Sequence, residues 1–173
     1  ALMSRGLGDV YKRQNLVLDE EVPRILLNTF LAAAAGIVAC LLYWVLQGET
    51  APAGDLINGV LAGLVAVTAS ANWISPFGSV VIGAGGGIVA LYATRLLEKW
   101  QLDDPVGAIP VHLAAGIFGT LVLPFFAIEE NLTNNANLID YTGNVIIDQF
   151  IAQLIGVSAV GFYAVSYTHL TLP

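Results

Sequence analysis

Charged side chains are scarce in this chain of 173 residues: they make up 11% of it, while 57% of the residues are hydrophobic. A soluble domain has roughly 25% charged and 45–50% apolar residues. The single cysteine, Cys40, excludes a disulfide framework. The two histidines, His112 and His169, are far apart and have no cysteine or carboxylate at ligand spacing, so neither zinc nor another cofactor is expected. The few basic residues form no stripe typical of nucleic-acid binding.

Long runs without charge account for most of the sequence. Residues 25–46, 56–74, 76–94 and 106–128 contain no Asp, Glu, Lys or Arg, and residues 145–165 contain only Asp148. A helix needs about 20 apolar residues to cross a bilayer. The sequence therefore predicts an all-α membrane protein, a polytopic transmembrane helix bundle with five spans over these ranges.

Glycine and alanine are abundant within these runs. Gly59 and Gly63 lie four residues apart, as do Gly83 and Gly87. Small residues at this spacing allow membrane helices to approach closely, which favours a packed bundle. The alternative is that such residues are simply common in membrane helices.

Both ends of the chain differ from the rest. Residues 1–14 hold three of the six basic residues and lack the apolar core of a signal peptide. Residues 166–173 are polar and leave the fifth span without a helix cap. Both stretches resemble translated adapter sequence, so we expect residues 15–165 to be the native part, a fragment of a larger protein, and His169 to have no role. A native arm and a short native tail are the alternative.

The connections between the spans differ in charge. Residues 95–105 carry Arg95 and Lys99, whereas residues 129–144 have carboxylates and no base. Basic residues concentrate on the cytoplasmic side of membrane proteins. This predicts that residues 95–105 and 47–55 lie inside, that the first span begins outside and that the last span ends in the cytoplasm.

His112 lies in the fourth run, about seven residues or 10 Å from its start. An ionisable group at that depth is costly and by default marks a substrate path. A neutral imidazole offers one donor and one acceptor, so it could line a narrow pore, receive a small polar solute and pass on a proton. The alternative is a core histidine bonded to a backbone carbonyl.

Two carboxylates, Asp103 and Asp104, precede Pro105 where the fourth run begins. Asp near a helix N-terminus can accept hydrogen bonds from free N–H groups and interacts well with the helix dipole, and Pro suits the first turn. Capping is therefore the first interpretation. The second is a carboxylate that helps to attract a cation.

Four blocks in order carry a family resemblance: "NTFLAAAAGIV" (28–38), "NGVLAGLVAVTA" (58–69), "SPFGSVVIGAGGGIVA" (75–90) and "LLEKWQLDDPVGAIPVHLAAGIFGTL" (96–121). Together they resemble the C-terminal half of an ammonium transporter of the Amt/Mep/Rh family, and the resemblance covers nearly all of residues 15–164. The resemblance implies a fragment of an eleven-helix ammonium transporter fold, built from two inverted repeats with one pore per subunit. The five runs match the seventh to eleventh helices, which agrees with the orientation inferred from loop charge.

The resemblance also implies roles for single residues. His112 matches the second of two pore histidines that form a proton relay, and Asp104 matches the carboxylate at the foot of that helix. The implied function is transport of ammonium or ammonia through an apolar pore in a bacterial-type plasma membrane. The implied partners are two further copies in a homotrimer and a PII-type regulator on the cytoplasmic face. Two places depart from the family's pattern. Leu113 stands where the family often has glycine, and residues 69–71 also differ from the family.

Part of the family's machinery lies on helices that precede these five. The first pore histidine, the aromatic gate and the outer ammonium site are among the features that this chain lacks, so we expect it not to conduct alone. Three other functions stay open. They are an ammonium-sensing domain coupled to a signalling output, a generic membrane channel, and a rhomboid-type hydrolase, for which Ser158 lacks a matched base.

Overall fold

The computed structural model of the chain describes residues 21–128 and 142–171. Within them the backbone is helical: α1 spans Glu21–Gln47, α2 Ala53–Thr68, α3 Pro76–Lys99 and α5 Val145–Thr171. A π-helical segment, Ile109–Ala114, continues directly into α4, Ala115–Phe126. This architecture confirms the all-α fold class. The predictions for residues 1–14 and for most of the acidic connection after α4 lie outside the described residues.

Four of these helical stretches are long and apolar enough to cross a membrane. They are Val22–Gln47, Pro76–Lys99, Ile109–Phe126 and Val145–Tyr167. Their positions agree with four of the five predicted spans. The fourth helix begins at Ile109 instead of residue 106, because residues 103–108 form its capping turn. The fifth continues beyond the predicted end at residue 165, so the polar ending does not interrupt the helix.

The second span differs most from its prediction. It was expected over residues 56–74, but α2 has 16 residues and ends at Thr68. Residues 69–75 follow as irregular backbone, which we call the broken end of α2. The apolar composition of this stretch predicted a longer helix. The prediction failed because composition does not show which polar groups from other elements bind the backbone carbonyls there.

The broken end nevertheless carries the chain as far as a full span. At one end of the bundle Trp44 donates a hydrogen bond to Asp55 (3.0 Å), and at the other Arg24 donates one to the carbonyl of Asn72 (2.9 Å). About 20 residues of α1 separate Arg24 from Trp44, a distance of about 30 Å and the thickness of a hydrocarbon core. Helix α2 and its broken end therefore cross the same depth as α1, in the opposite direction.

Helices α1, α2 and α3 pack through small residues. A Cβ added to Gly63 or to Gly83 would lie 2.3 Å from the carbonyl oxygen of Ala32, and one added to Gly36 would lie 2.2 Å from that of Gly59. Ala32 itself is fully buried. This close approach confirms the prediction that the spaced glycines serve helix packing. Because the contacts are backbone to backbone, larger residues cannot be accommodated by a change of rotamer.

Helix α5 lies at the edge of the described structure and is mostly exposed along its length. It contacts α4, where the rings of Phe125 and Phe150 are 5.6 Å apart. Its start is fixed locally. Asn144 accepts hydrogen bonds from the backbone of Ile146 (3.0 Å), and the buried Asp148 accepts from the backbone (3.0 Å) and hydroxyl (2.8 Å) of Thr142. The single charge in this span therefore holds the turn that precedes the helix.

Candidate functional site

His112 lies in the π-helical segment and its side chain is exposed. Its neighbour Leu113 is 57% exposed, whereas Pro110 and Val111, the two residues before it, are buried. His112 therefore occupies the side of the segment that no described residue covers. The structure does not place it in the core, where a histidine bonded to a backbone carbonyl would lie.

Asp104 holds the start of the π segment. Its two carboxylate oxygens accept hydrogen bonds from the backbone N–H groups of Ala108 (3.0 Å) and Ile109 (2.8 Å). These N–H groups have no carbonyl partner within the first helical turn, so a carboxylate there satisfies them and complements the helix dipole. The geometry is that of a capping carboxylate. A role in attracting a cation stays a prediction. Asp103 is exposed.

Gly107 sets the path of the chain into the segment. It has a positive φ of 66°, a conformation that favours glycine. A Cβ at this position would lie 2.6 Å from the amide nitrogen of Asn58 on α2. The backbone conformation therefore favours glycine here, and the Asn58 side chain packs against it from α2.

The opposite side of the π segment and α4 packs on α2 and α3. Val111 and Ala115 form a buried cluster with Ala62 of α2 and Ala90 of α3. One turn further on, a Cβ added to Gly119 would lie 2.0 Å from the carbonyl oxygen of Ala66. The backbone behind His112 is therefore held by close helix contacts. Its imidazole projects from a rigid surface.

A second polar arrangement lies at the other end of α2. The amide of Asn28, which is fully buried, donates hydrogen bonds to the carbonyls of Ala71 (2.8 Å) and Ile74 (3.0 Å). Together with Arg24, it supplies donors for three carbonyls of the broken end that a continuing helix would otherwise have satisfied. The carbonyl of Trp73 accepts from the backbone of Ile128, after the end of α4 (2.8 Å). The broken end is thus fixed from α1 and α4.

Comparison with known proteins identifies the family. The sequence profile of the Ammonium Transporter Family matches residues 12–172. The chain belongs to the ammonium transporter family. Its resemblance in sequence blocks is thereby confirmed over almost the whole chain, and the match includes parts of both ends that were expected to be non-native. That residues 1–14 and 166–173 are non-native stays a prediction.

Curated relatives share this sequence over part of their length. Ammonium transporter Amt2 of Archaeoglobus fulgidus is 48% identical over 100 residues, which are 58% of this chain and 21% of the relative. An ammonium transporter of Bacillus subtilis is 31% identical over 164 residues, 91% of this chain and 40% of the relative. The chain thus spans about a fifth to two fifths of the length of these relatives.

Solved structures show the same fold. A sensor Amt protein matches with a TM-score of 0.73 and 35% identity, over 82% of this chain and 34% of that one. Mep2 of Candida albicans matches with a TM-score of 0.73 and 27% identity, over 88% and 34%. The chain therefore has the fold of a fragment of the Amt and Mep2 proteins.

An ionic and aromatic cluster of this transporter segment was not anticipated from its sequence. Arg95 of α3 lies over the rings of Tyr43 (4.5 Å) and Trp44 (5.0 Å) of α1 and is hydrogen-bonded to the Tyr43 hydroxyl. This cluster lies at the end of the bundle predicted to be cytoplasmic. It brings together the connections at residues 47–55 and 95–105, both largely exposed. The sequence signal for this cluster was the occurrence of Trp, Tyr and Arg near the ends of the spans, where such residues lie at the membrane interface.

The hydrolase alternative finds no support in this family, whose members transport rather than catalyse. Ser158, the serine considered for it, donates its hydroxyl to the carbonyl of Leu154 (2.8 Å) one turn earlier on α5. That bond is an ordinary helix contact of serine. The contacts of Asn28 and Arg24 were also missed by the sequence analysis. The signal for Asn28 was present, because a polar residue inside a span requires partners.

Proposed function

We propose that this chain forms part of a membrane pathway for ammonium and ammonia, in which His112 passes a proton along an apolar pore. One observation carries the proposal: in a chain of this family, the intramembrane imidazole is exposed on the one side of its helix that the described residues leave uncovered. A histidine facing lipid would be costly, so this side is expected to face a path or the rest of the transporter.

The chemistry of imidazole suits this role. A neutral ring can accept a proton or hydrogen bond at one nitrogen while donating from the other. An ammonium ion entering an apolar pore loses hydration, so transfer of its proton to such a ring allows the uncharged molecule to continue. The rigid packing of Val111 and Ala115 behind His112 supports a fixed position for the ring.

The pathway is incomplete in this chain. Because the chain spans only a fifth to two fifths of the relatives, we infer that helices of the other inverted repeat complete the pore wall. Liposomes that contain this chain alone should show no ammonium-dependent internal alkalinisation above empty liposomes in stopped-flow measurements. A signal well above that background would contradict the inference.

The decisive experiment replaces His112 in the complete protein, which carries this segment together with the other helices of the family. His112→Ala should lower methylammonium uptake by at least about tenfold, since a positioned proton-transfer group contributes 10²–10⁴ in catalysis. Ile109→Ala is the matched control, because it removes an exposed side chain from the same segment and keeps the backbone N–H that Asp104 binds. Equal uptake by both variants and the parent would refute the proposal.

A second candidate is an ammonium sensor, which is favoured by the likeness to a sensor Amt protein at 35% identity. A sensor binds ammonium and changes the state of an attached output, with little or no flux. Calorimetric binding of methylammonium together with uptake at background level in the complete protein would favour the sensor. Uptake that depends on His112 would favour the transporter.

Two partners are part of the proposal. The two exposed connections at the Arg95 cluster form a surface for a PII-type regulator, and two further copies of the complete protein form a homotrimer. Native mass spectrometry of the detergent-solubilised complete protein should give a trimer. Reversing the charge of Glu49 in the first connection and Lys99 in the second should weaken binding of a PII-type protein in a pull-down without changing the trimer.

A further inference from the structure

We infer that the π turn is the device that directs His112 away from the packed face, because its extra residue moves Val111 to the place that His112 would otherwise take and Pro110 to the place of Val111. The inference rests on the proposed function for its effect on transport, but its structural part can be tested separately. It assigns a positioning role to one residue, Pro110, and to the single extra residue that a π turn contains.

The register changes within this helix. From Ala115 onwards the buried residues are Gly119, Leu123 and Pro124, a spacing of four to five positions that is expected for an α-helix packed on one side. Before Ala115 the backbone is π-helical: the N–H of Ala115 donates to the carbonyl of Pro110, five residues earlier. A π turn of this kind is equivalent to an α-helix with one inserted residue.

The rotation per residue decides which side chains face the core. An α-helix turns about 100° per residue, so with Ala115 at 0° an unbroken α-helix would place His112 about 60° from the centre of the packed face and Pro110 about 140° away. A π-helix turns roughly 80° per residue, which places Pro110 about 40° and His112 about 120° from that centre.

The observed burial agrees with the π-helical register. Pro110 is buried to below 2% exposure and Val111 is 2% exposed, whereas His112 is exposed. In the α register, a histidine would press against Ala62 and Ala90, the small residues of α2 and α3 that touch this helix. Pro110 would face outward. The π turn instead places Val111 on the side of the packed face where His112 would lie and Pro110 on the side where Val111 would lie, and it turns His112 outward.

The local sequence supports this register. Proline has no N–H to donate and its ring clashes with the carbonyl four residues earlier in an α-helix, so the α pattern is already weakened at Pro110. Burial of the Pro110 ring, the cap from Asp104 and the contact of Gly107 with Asn58 then hold the segment from its start. None of these contacts involves the imidazole.

The test deletes one residue in the complete protein. Removing Leu113, which is exposed, converts the π turn into an α turn and leaves Pro110 and Val111 on the packed face, with His112 about 160° from its centre. The helix should therefore remain packed. Removing Ile117, an exposed residue in the α-helical part, should instead rotate the preceding turn by about 100° and disrupt the fold.

We expect the Leu113 deletion to keep its thermal unfolding temperature in detergent within about 5 °C of the parent, and the Ile117 deletion to unfold far below it or to fail to assemble. The Leu113 deletion should retain methylammonium uptake within about tenfold of the parent, with the same pH profile. Leu113→Ala serves as the control for loss of the side chain without a change of register.

Each outcome tests one part of the inference. If the Leu113 deletion is as damaging to the fold as the Ile117 deletion, the π register is refuted. If it folds but loses the uptake that His112→Ala also abolishes in the parent, the positioning role is refuted. If His112→Ala leaves the parent's uptake unchanged, the proposed function fails, while the unfolding temperatures still decide the structural part.

Discussion

Replacement of Gly83 by alanine gives the sharpest test of how this bundle is held together. The added Cβ would lie 2.3, 2.5 and 2.7 Å from three backbone atoms of Ala32, where ordinary contacts begin at 3.4 Å. Helix α3 would have to move away from α1 by about 1 Å. A gap of that size forfeits a quarter to a half of each dispersion contact along the interface.

The change in unfolding free energy has two opposing parts, the cost of overpacking and the higher helix propensity of alanine. Overpacking of this kind costs about 1–3 kcal/mol, and exchange of glycine for alanine in a helix recovers up to about 1 kcal/mol. We therefore expect Gly83→Ala to destabilise the chain by about 1–2 kcal/mol. The assay is unfolding in mixed detergent micelles with increasing dodecyl sulfate, followed by helical circular dichroism.

Gly161→Ala is the matched control, because Gly161 also lies inside a helix but has no atom within 4 Å of its added Cβ. It should be neutral or slightly stabilising. If both variants unfold at the same detergent fraction, the backbone contact between α1 and α3 does not limit the stability of the bundle, and the reasoning from close approach is wrong.

Three further predictions concern polar contacts. Asn28→Leu leaves two buried carbonyls of the broken end without their donors and should cost about 2–4 kcal/mol in the same unfolding assay, whereas Asn28→Gln should recover part of this loss. Asp104→Ala removes two hydrogen bonds at the start of the π segment and should cost about 1 kcal/mol, while Asp103→Ala, at an exposed position, should cost less than half of that. Arg95→Lys keeps the charge but loses the planar stacking on two aromatic rings, and should red-shift and weaken the tryptophan near-ultraviolet dichroism if the cluster is formed. An unchanged spectrum would argue against the cluster.

The positions of the spans could be predicted from sequence because each requirement is local. A charge-free run of sufficient length must find an apolar environment, and the runs around residues 25–46, 76–94 and 145–165 did so as helices. The spacing of the glycines also predicted close packing correctly, since Gly63 and Gly83 both approach the backbone of Ala32. Which helix approaches which atom depended on the tertiary fold and was not predictable.

The end of α2 and the π turn could not be predicted, for a common physical reason. Residues 69–74 are apolar enough for a helix, and donors distant in sequence stabilise the irregular backbone there: the side chains of Arg24 and Asn28, more than forty positions earlier, and the N–H of Ile128. The π turn likewise depends on which side of the helix meets α2 and α3. Hydrophobic periodicity around His112 is weak because nearly every neighbour is apolar, so no face could be assigned from the sequence.

The broken end of α2 and the π segment differ in their surroundings. Inside a membrane, backbone polar groups need hydrogen-bond partners within the protein or in a water-filled cavity. Non-helical backbone is tolerated within a membrane where it is buried in protein or lines a cavity. The broken end of α2 fulfils the first condition, since Ser70, Ala71 and Ile74 are all buried and their neighbours are bonded to α1 and α4. Among residues 21–128 and 142–171, the π segment is covered on one side only, and its uncovered side carries the imidazole. Lipid cannot accept the hydrogen bonds of that ring, so the exposed position of His112 is stable only beside other polar groups or water. That requirement, rather than the presence of histidine alone, is the reason for proposing that a path for a small polar solute runs beside the π turn.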